Sequence, residues 1–395
     1  MSKNPKLLCK ACFGFLVVTG LLYTILYKYQ RYYGYRIYNS GLKAEHYETN
    51  PVNQNVATKV VQSSISPPEI QQIKPGAVIL LTHTRSGSSF VGEIFNQKRG
   101  VAYFYEPLYP FGTCPRTSSN LAEEYFPNAL RLNFSSAWES YIKGNKLSQR
   151  KQLAGCVSQG VCFANCLKCS LFLSRDQNIC HKSPNGGQAC PNKLDMTKLS
   201  EAVEKSDLMA FKVVSMCDIS WIQPLLDDPT INLKIVHLVR DPRAIINSRP
   251  NNNRVELIKQ GCKHITDLLD YADRHLVRSK NYMIIRHEDF ALNPLNWTEK
   301  VYKFVGLRLD KEVDSWLKSA TSDKNSNQLS KSNPFGTKRN SIDTISHWRK
   351  ELSWENVLLV QMQCTAMKRL GYVKFSSEEY FKNMTIPSFK HNNTM

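Results

Sequence analysis

The run Thr84-Arg85-Ser86-Gly87-Ser88-Ser89-Phe90 places small hydroxyl residues around one arginine and one glycine. Such a run can aim several backbone N–H groups, and the planar fork of a guanidinium, at a single anion. It is not the loop of nucleotide triphosphatases, because the first glycine and the closing Gly-Lys-Ser/Thr are both missing. A second run, Arg240-Asp241-Pro242-Arg243-Ala244-Ile245-Ile246-Asn247-Ser248, sets a hydroxyl about two helical turns beyond an arginine. Asp241 suits an N-cap and Pro242 the first helical position. A bent strand–helix junction there would bring Arg240 and Ser248 to one anion. Read alone, the same run describes a capped helix whose arginines face solvent.

Regular elements must hold these runs in place. Ala77 to Leu81 is five consecutive apolar residues, which suits a strand buried on both faces. Phe90, Val91, Ile94 and Phe95 then fall at helical spacing, so the first run is a strand–loop–helix junction. Val101 to Tyr105 predicts a second strand, ending in Glu106-Pro107-Leu108. Leu208 to Val214, Leu233 to Val239 and Tyr282 to Ile285 predict three more. Helices are expected around Ala122 to Tyr141, over Trp221 to Leu226, after Arg243, and from Val255 to about Val277. Further helices are expected at Val301 to Val305, Val313 to Leu317 and Val357 to Leu370. Alternating strands and helices, with polar motifs at strand ends, give an α/β fold: an open parallel sheet flanked by helices, with ligands at its carboxyl edge.

The chain of 395 residues has 52 Lys and Arg against 33 Asp and Glu, a net charge of +19 that favours anionic partners. Residues 11–27 carry no charge, which is the short end of a bilayer span. A cleaved signal peptide is the alternative, but no small-x-small site ends the run. We expect a cytoplasmic tail at 1–10, a transmembrane signal anchor at 11–27 and a stem at 28–74. A globular body follows at 75–375, with a cysteine-rich insertion at 110–205 and a C-terminal tail at 376–395. Of twelve cysteines, six lie between Cys156 and Cys190, and Asn133, Asn296, Asn383 and Asn392 each open a glycosylation sequon. Together these favour a lumenal body with disulfides. A zinc site on Cys166 and Cys169 is the competing use of those cysteines, and no second pair is spaced to complete it.

Taken together, the two anion-binding runs resemble the phosphosulfate-binding motifs of sulfotransferases. The match is closest to the Golgi carbohydrate 6-O-sulfotransferases that modify galactose, N-acetylgalactosamine or N-acetylglucosamine. It is carried by Thr84 to Phe90, Tyr105 to Leu108, Leu238 to Ala244, His287 to Phe290 with Asn293-Pro294, Trp348-Arg349 and Gly371-Tyr372. Phe90 to Gln97 and Gly336 to Ser341 resemble the keratan/chondroitin branch most. The resemblance implies a P-loop-like sulfotransferase fold and 3′-phosphoadenosine 5′-phosphosulfate as donor, with no metal. Thr84 to Phe90 would hold the 5′-phosphosulfate, Arg240 to Ser248 the 3′-phosphate, and Arg339 would belong to a loop closing over the nucleotide. It also implies a Golgi type II membrane protein with an anionic glycan as acceptor and no nucleic acid partner. The segment after Arg249 and the cysteine-rich insertion depart from the branch, and both border the expected acceptor site.

In sulfuryl transfer the acceptor hydroxyl attacks sulfur in line while the nucleotide phosphate leaves. Charge grows on the bridging and sulfuryl oxygens, where the loop amides and Arg85 would act. Glu106, one strand on, is the candidate base; its competing role is an ion pair that only holds the loop. His83, at a strand end, is a weaker candidate. His287, Glu288 and Asp289 are expected to brace the helix that follows, and Trp348 and Arg349 to pack the last helix. A nucleotide-hydrolysing enzyme lacks its loop signature here, and a non-catalytic glycan binder would not need two anion sites at separate strand ends.

Overall fold

The computed structural model describes residues 73–108, 121–137, 139, 181–182, 188–189, 196–214, 216, 218–249, 253–321 and 341–390. The expected cytoplasmic tail and membrane anchor, the expected stem up to residue 72, most of the cysteine-rich insertion and the loop bearing Arg339 lie outside them.

Seven strands are formed in the described residues: β1 (Ile73–Thr82), β2 (Val101–Tyr105), β3 (His181–Lys182), β4 (Gln188–Ala189), β5 (Leu208–Val213), β6 (Ile231–Val239) and β7 (Tyr282–Arg286). β3 and β4 make a two-residue antiparallel ribbon. The other five form one parallel sheet in the order β2-β5-β1-β6-β7. The apolar run at its centre explains why. In β1, Ala77, Ile79 and Leu81 enter one buried cluster with Phe104, Phe126 and Phe211, while Val78 and Leu80 enter the other with Val91, Ile94 and Phe95. Only a strand covered on both faces can bury such an unbroken run.

Because all five strands run the same way, the residues that follow them meet at one edge. The chain first goes to one side of β1, laying down β2 and β5, and then to the other, laying down β6 and β7. This reversal opens the crevice beyond β1 where open α/β sheets bind ligands.

The helices are α1 (Ser88–Asn96), α2 (Leu121–Leu130), α3 (Met196–Glu204), α4 (Gln223–Asp227), α5 (Pro242–Asn247), α6 (Arg254–His275), α7 (His287–Leu292), α8 (Pro294–Val305), α9 (Lys311–Thr321), α10 (Asp343–Ser346), α11 (Trp348–Glu351), α12 (Trp354–Gln363), α13 (Ala366–Arg369) and α14 (Glu378–Lys382). The helix expected over Val357 to Leu370 is two, broken at Cys364, and that cysteine is disulfide-bonded to Cys262 of α6. The helix expected around Ala122 to Tyr141 is interrupted after Leu130, where Leu132 takes a left-handed backbone conformation (φ 60°), and helical residues resume at 134–137.

The expected tail from 376 is corrected by the fold. Phe381 and Phe389 are buried, and three buried arginines take its carbonyl oxygens. Arg349 donates to Phe381 O, Asn383 O and Ile386 O; Arg286 to Lys390 O; and Arg243 to Ser388 O. A buried guanidinium has five donors to satisfy, and an irregular segment is a ready source of unpaired carbonyls. Trp348 and Arg349 thus pack the last helices, as expected, with Trp348 stacked on Phe381 at 5.8 Å.

The Cys262–Cys364 link spans 102 residues and lies outside the cysteine cluster. A closed loop of about 100 residues restrains the unfolded chain by about 4.7 kcal/mol in the chain-entropy picture. Cys364→Ser should therefore lower unfolding free energy by roughly 2–5 kcal/mol in urea titrations. An unchanged midpoint would show that the bond does not stabilise the fold.

Candidate active site

The first loop is locked from beneath. Thr82 Oγ1 donates to Leu238 O of β6 at 2.9 Å and shares a hydrogen bond with the Ser86 hydroxyl, whose Oγ also bonds His83 O at 2.7 Å. Ser86 is fully buried, so its hydroxyl shapes the loop and does not face the crevice. Arg85 (φ 72°) and Gly87 (φ 84°) both adopt the left-handed region, which makes the turn tight enough to start α1 immediately. Gly87 is the N-cap of α1 and offers no side-chain acceptor, so no side chain caps the helix's first-turn amides. A β-carbon on Gly87 would stand 2.3 Å from His287 Cδ2. Glycine is needed here for the backbone conformation and for the close approach of His287.

The second run is drawn to the first. Arg240 donates to Arg85 O at 3.0 Å and to Thr344 O at 2.9 Å. Arg249, just beyond the run, reaches toward Thr84 O at 3.5 Å, and its Nε is buried without a hydrogen-bond partner. Burial lowers the proton affinity of Arg249, and the charge of Arg85 lowers it further. Burial acts the same way on Arg85, against a smaller opposing effect of Tyr105. The Arg85 charge thus disfavours that of Arg249, an effect that a bound anion would relieve.

Within the second run the structure separates scaffold from site. Asp241 caps α5 by accepting from Arg243 N at 2.9 Å. Arg243, expected at the nucleotide, is completely buried: it forks onto Asp241 at 3.0 and 2.8 Å and lies over the Trp348 and Phe375 rings. Pro242, Ala244, Ile245 and Ile246 are buried as well. Asn247 donates to Glu351, and Ser248 Oγ to Ile245 O, while Arg240, Asn247 and Ser248 keep partial exposure. The His287-Glu288-Asp289 stretch braces more than its own helix. The buried Glu288 carboxylate accepts from Asp241 N at 3.0 Å and from the Tyr372 hydroxyl at 2.8 Å. Burial raises its proton affinity, and the Asp241 charge adds to this.

Glu106 stands at the end of β2, again with a left-handed backbone (φ 51°). Its carboxylate meets Lys212 Nζ of β5 at 2.7 Å. Lys212 is buried, lies 3.7 Å over the Tyr105 ring, and is 3.4 Å from Ser89 Oγ at the start of α1. The residues thus brought to one edge are Arg85, the α1 N-terminus, Arg240, Arg249, Glu106 and Lys212. Arg249 and Lys212 escaped sequence reasoning. Lys212 had a usable signal, since a lysine inside the apolar run Leu208 to Val214 needs a buried partner.

His83 follows β1 at this edge but is buried. It is buried edge-on against His264 at 4.8 Å and near His237 at 6.2 Å, beside a cavity of about 30 Å³ that Arg249 also lines. His237 Nδ1 pairs with the Tyr282 hydroxyl and His264 Nε2 with Met216 O. Burial lowers the proton affinity of all three, His83 far below its usual range and His237 to about 3.

Known proteins share this arrangement of sequence. A family model of the sulfotransferase domain matches residues 75–371. Carbohydrate sulfotransferase 1 of Danio rerio is 32% identical over 353 residues, covering 78% of this chain and 80% of that protein. The chain belongs to the carbohydrate sulfotransferase family. Carbohydrate sulfotransferase 3 of Rattus norvegicus is similar at 26% identity over 349 residues, covering 79% of this chain and 71% of its own. The solved sulfotransferase domain of the Synechococcus PCC 7002 olefin synthase covers 75% of this chain and 96% of its own, at a TM-score of 0.38 and 17% identity, too loose a likeness to carry a residue assignment. The chain is therefore an enzyme, a sulfotransferase dependent on 3′-phosphoadenosine 5′-phosphosulfate.

Two outcomes follow for the sulfotransferase. Arg85→Gly removes a guanidinium together with a strained left-handed arginine worth about 1–2 kcal/mol, against the extra chain entropy of glycine. Thermal stability should stay within about 1 kcal/mol while affinity for 3′,5′-adenosine bisphosphate falls at least about tenfold; retained affinity would remove Arg85 from the site. Secondly, the lowered folded-state affinities of the three histidines keep them neutral in the native state, while in the unfolded chain they take up protons below about pH 6.5. Stability is then complete above that pH and declines as pH falls toward the lowered values, by up to about 1.4 kcal/mol per unit for each histidine. Urea midpoints at pH 7.5 and 5.5 should differ in that direction, and His83→Gln should narrow the gap.

Proposed function

We propose that this sulfotransferase moves the sulfuryl group of 3′-phosphoadenosine 5′-phosphosulfate to the 6-hydroxyl of galactose or N-acetylgalactosamine in a glycosaminoglycan such as keratan or chondroitin sulfate. The observation that carries the donor geometry is the Arg240–Arg85 carbonyl bond, which joins the two anion-binding runs at one sheet edge. The residues fit such a donor: the α1 N-terminus has no side-chain cap, and a buried Arg249 Nε lacks a partner. The α1 amides and Arg85 would hold the 5′ end, and Arg240 with Ser248 the 3′-phosphate. Of the run assigned to the 3′-phosphate, the buried Arg243, Pro242, Ala244, Ile245 and Ile246 act as scaffold. The donor supplies an activated sulfur–oxygen bond; Glu106 takes the proton from the acceptor hydroxyl.

The 6-position and the glycosaminoglycan acceptor rest on the resemblance of Phe90 to Gln97 and Gly336 to Ser341 to the keratan/chondroitin branch. The charge of +19 supports an acidic polymer as acceptor. We place the body in the Golgi lumen behind an anchor at 11–27, a reading supported by the apolar span, the sequons and the Cys262–Cys364 disulfide.

Labelled sulfate transfer to desulfated keratan and chondroitin, followed by disaccharide analysis, tests this reading. Label should appear on the 6-position of galactose or N-acetylgalactosamine; label on N-acetylglucosamine of glycoprotein glycans instead would reassign the acceptor. Arg240→Ala should weaken 3′,5′-adenosine bisphosphate about 10–100-fold, as expected for loss of charged hydrogen bonds. Glu106→Gln should lower kcat about 10²–10⁴-fold with bisphosphate binding nearly intact. Equal loss of both would make Glu106 structural.

A further inference from the structure

The sheet's alternation would turn Glu106 to the face opposite Tyr105. Its left-handed backbone instead brings the carboxylate to Lys212, which lies over the Tyr105 ring. Two further features hold the lysine in place. Glu106 N donates to Lys212 O at 2.8 Å, continuing the β2–β5 ladder one residue past the strand. Gly92 of α1 lies against the lysine stem, where a β-carbon would be in ordinary contact 3.5 Å from Lys212 Cδ, and leaves space for Tyr103, whose hydroxyl would stand 2.1 Å from it. The ammonium is thus fixed between the carboxylate and Ser89 Oγ, with only 1% of the side chain exposed, while 15% of the Glu106 side chain remains accessible. Only the accessible partner can meet an acceptor from solvent.

We infer that Lys212 is a positioning residue for the reaction: it holds the Glu106 carboxylate aimed before transfer, and its charge remains beside the first turn of α1 once Glu106 has taken the acceptor proton. This rests on Glu106 as the base. The step balances without a further reactant. The acceptor O–H proton passes to Glu106, the acceptor oxygen bonds sulfur, and the sulfur–oxygen bond to the nucleotide breaks with its electron pair leaving on the phosphate. Before the step the Glu106–Lys212 pair is neutral. Afterwards Lys212 is an uncompensated cation next to Ser89, where negative charge has gathered on the leaving phosphate. Buried charge of this kind acts strongly, because little solvent reorganises around it.

In Lys212→Met kcat should fall at least about tenfold, the scale of losing one preorganised charged partner. Affinity for 3′,5′-adenosine bisphosphate should stay within about threefold of wild type, reporting a folded donor site. Lys212→Gln keeps a donor for Glu106 but no charge, and should show the same loss of kcat if the methionine variant does not fold. Lys212→Arg keeps the charge, and should recover most of kcat. An unchanged kcat in folded Lys212→Met or Lys212→Gln, or an equal loss in Lys212→Arg, would overturn the inference while leaving the base assignment standing. Full activity in Glu106→Gln would overturn both.

Discussion

The guanidinium of Arg240 spans pieces of chain that are distant in sequence. It leaves the end of β6, takes the carbonyl of Arg85 in the loop after β1, and takes that of Thr344 in α10. The proposed donor site depends on this clamp, because each of its two runs alone is an ordinary strand–helix junction. Thr82 strengthens it one layer down by donating to Leu238 O, so the loop is pinned to β6 both beneath and at its rim. The clamp also ties the site to the C-terminal segment, since α10 leads into α11 and the buried Arg349 that gathers residues 381–386.

Backbone strain falls at the proposed active site. Four non-glycine residues among those described have a left-handed backbone, and two of them are Arg85 and Glu106. At Arg85 the conformation closes a loop short enough for α1 to begin at Ser88. At Glu106 it ends β2 abruptly and redirects a carboxylate toward Lys212. Each costs of the order of 1–3 kcal/mol unless the surroundings impose it. Here the surroundings do so through the β5 ladder, the Thr82–Ser86 bonds and the Arg240 clamp.

The strands were legible because a doubly covered sheet demands apolar runs, and Val101 to Tyr105 forms β2 with the ends its residues predict. The two runs and Glu106 were legible from their position at strand ends. The orientation within the second run was not. α5 is only Pro242 to Asn247, too short for periodicity to say which residues face the crevice, so Arg243 read as a ligand although it lies wholly in the core. The His287–Gly87 approach joins residues far apart in sequence, and no local pattern announces it. Residues from 376 on were expected to be a tail; what holds them is the burial of Phe381 and Phe389 together with carbonyl acceptance from Arg243, Arg286 and Arg349, and the second of these leaves no mark in the segment's own side chains.

The central claim is that one sheet edge carries two separate phosphate sites for a single nucleotide. Calorimetric titration with 3′,5′-adenosine bisphosphate, set beside adenosine 5′-monophosphate and adenosine 3′-monophosphate, tests it most directly. The account predicts that the bisphosphate binds at least about tenfold more tightly than either monophosphate, since charged hydrogen bonds of about 1.5–3 kcal/mol are lost with each phosphate. Equal affinity for the bisphosphate and one of the monophosphates would contradict it.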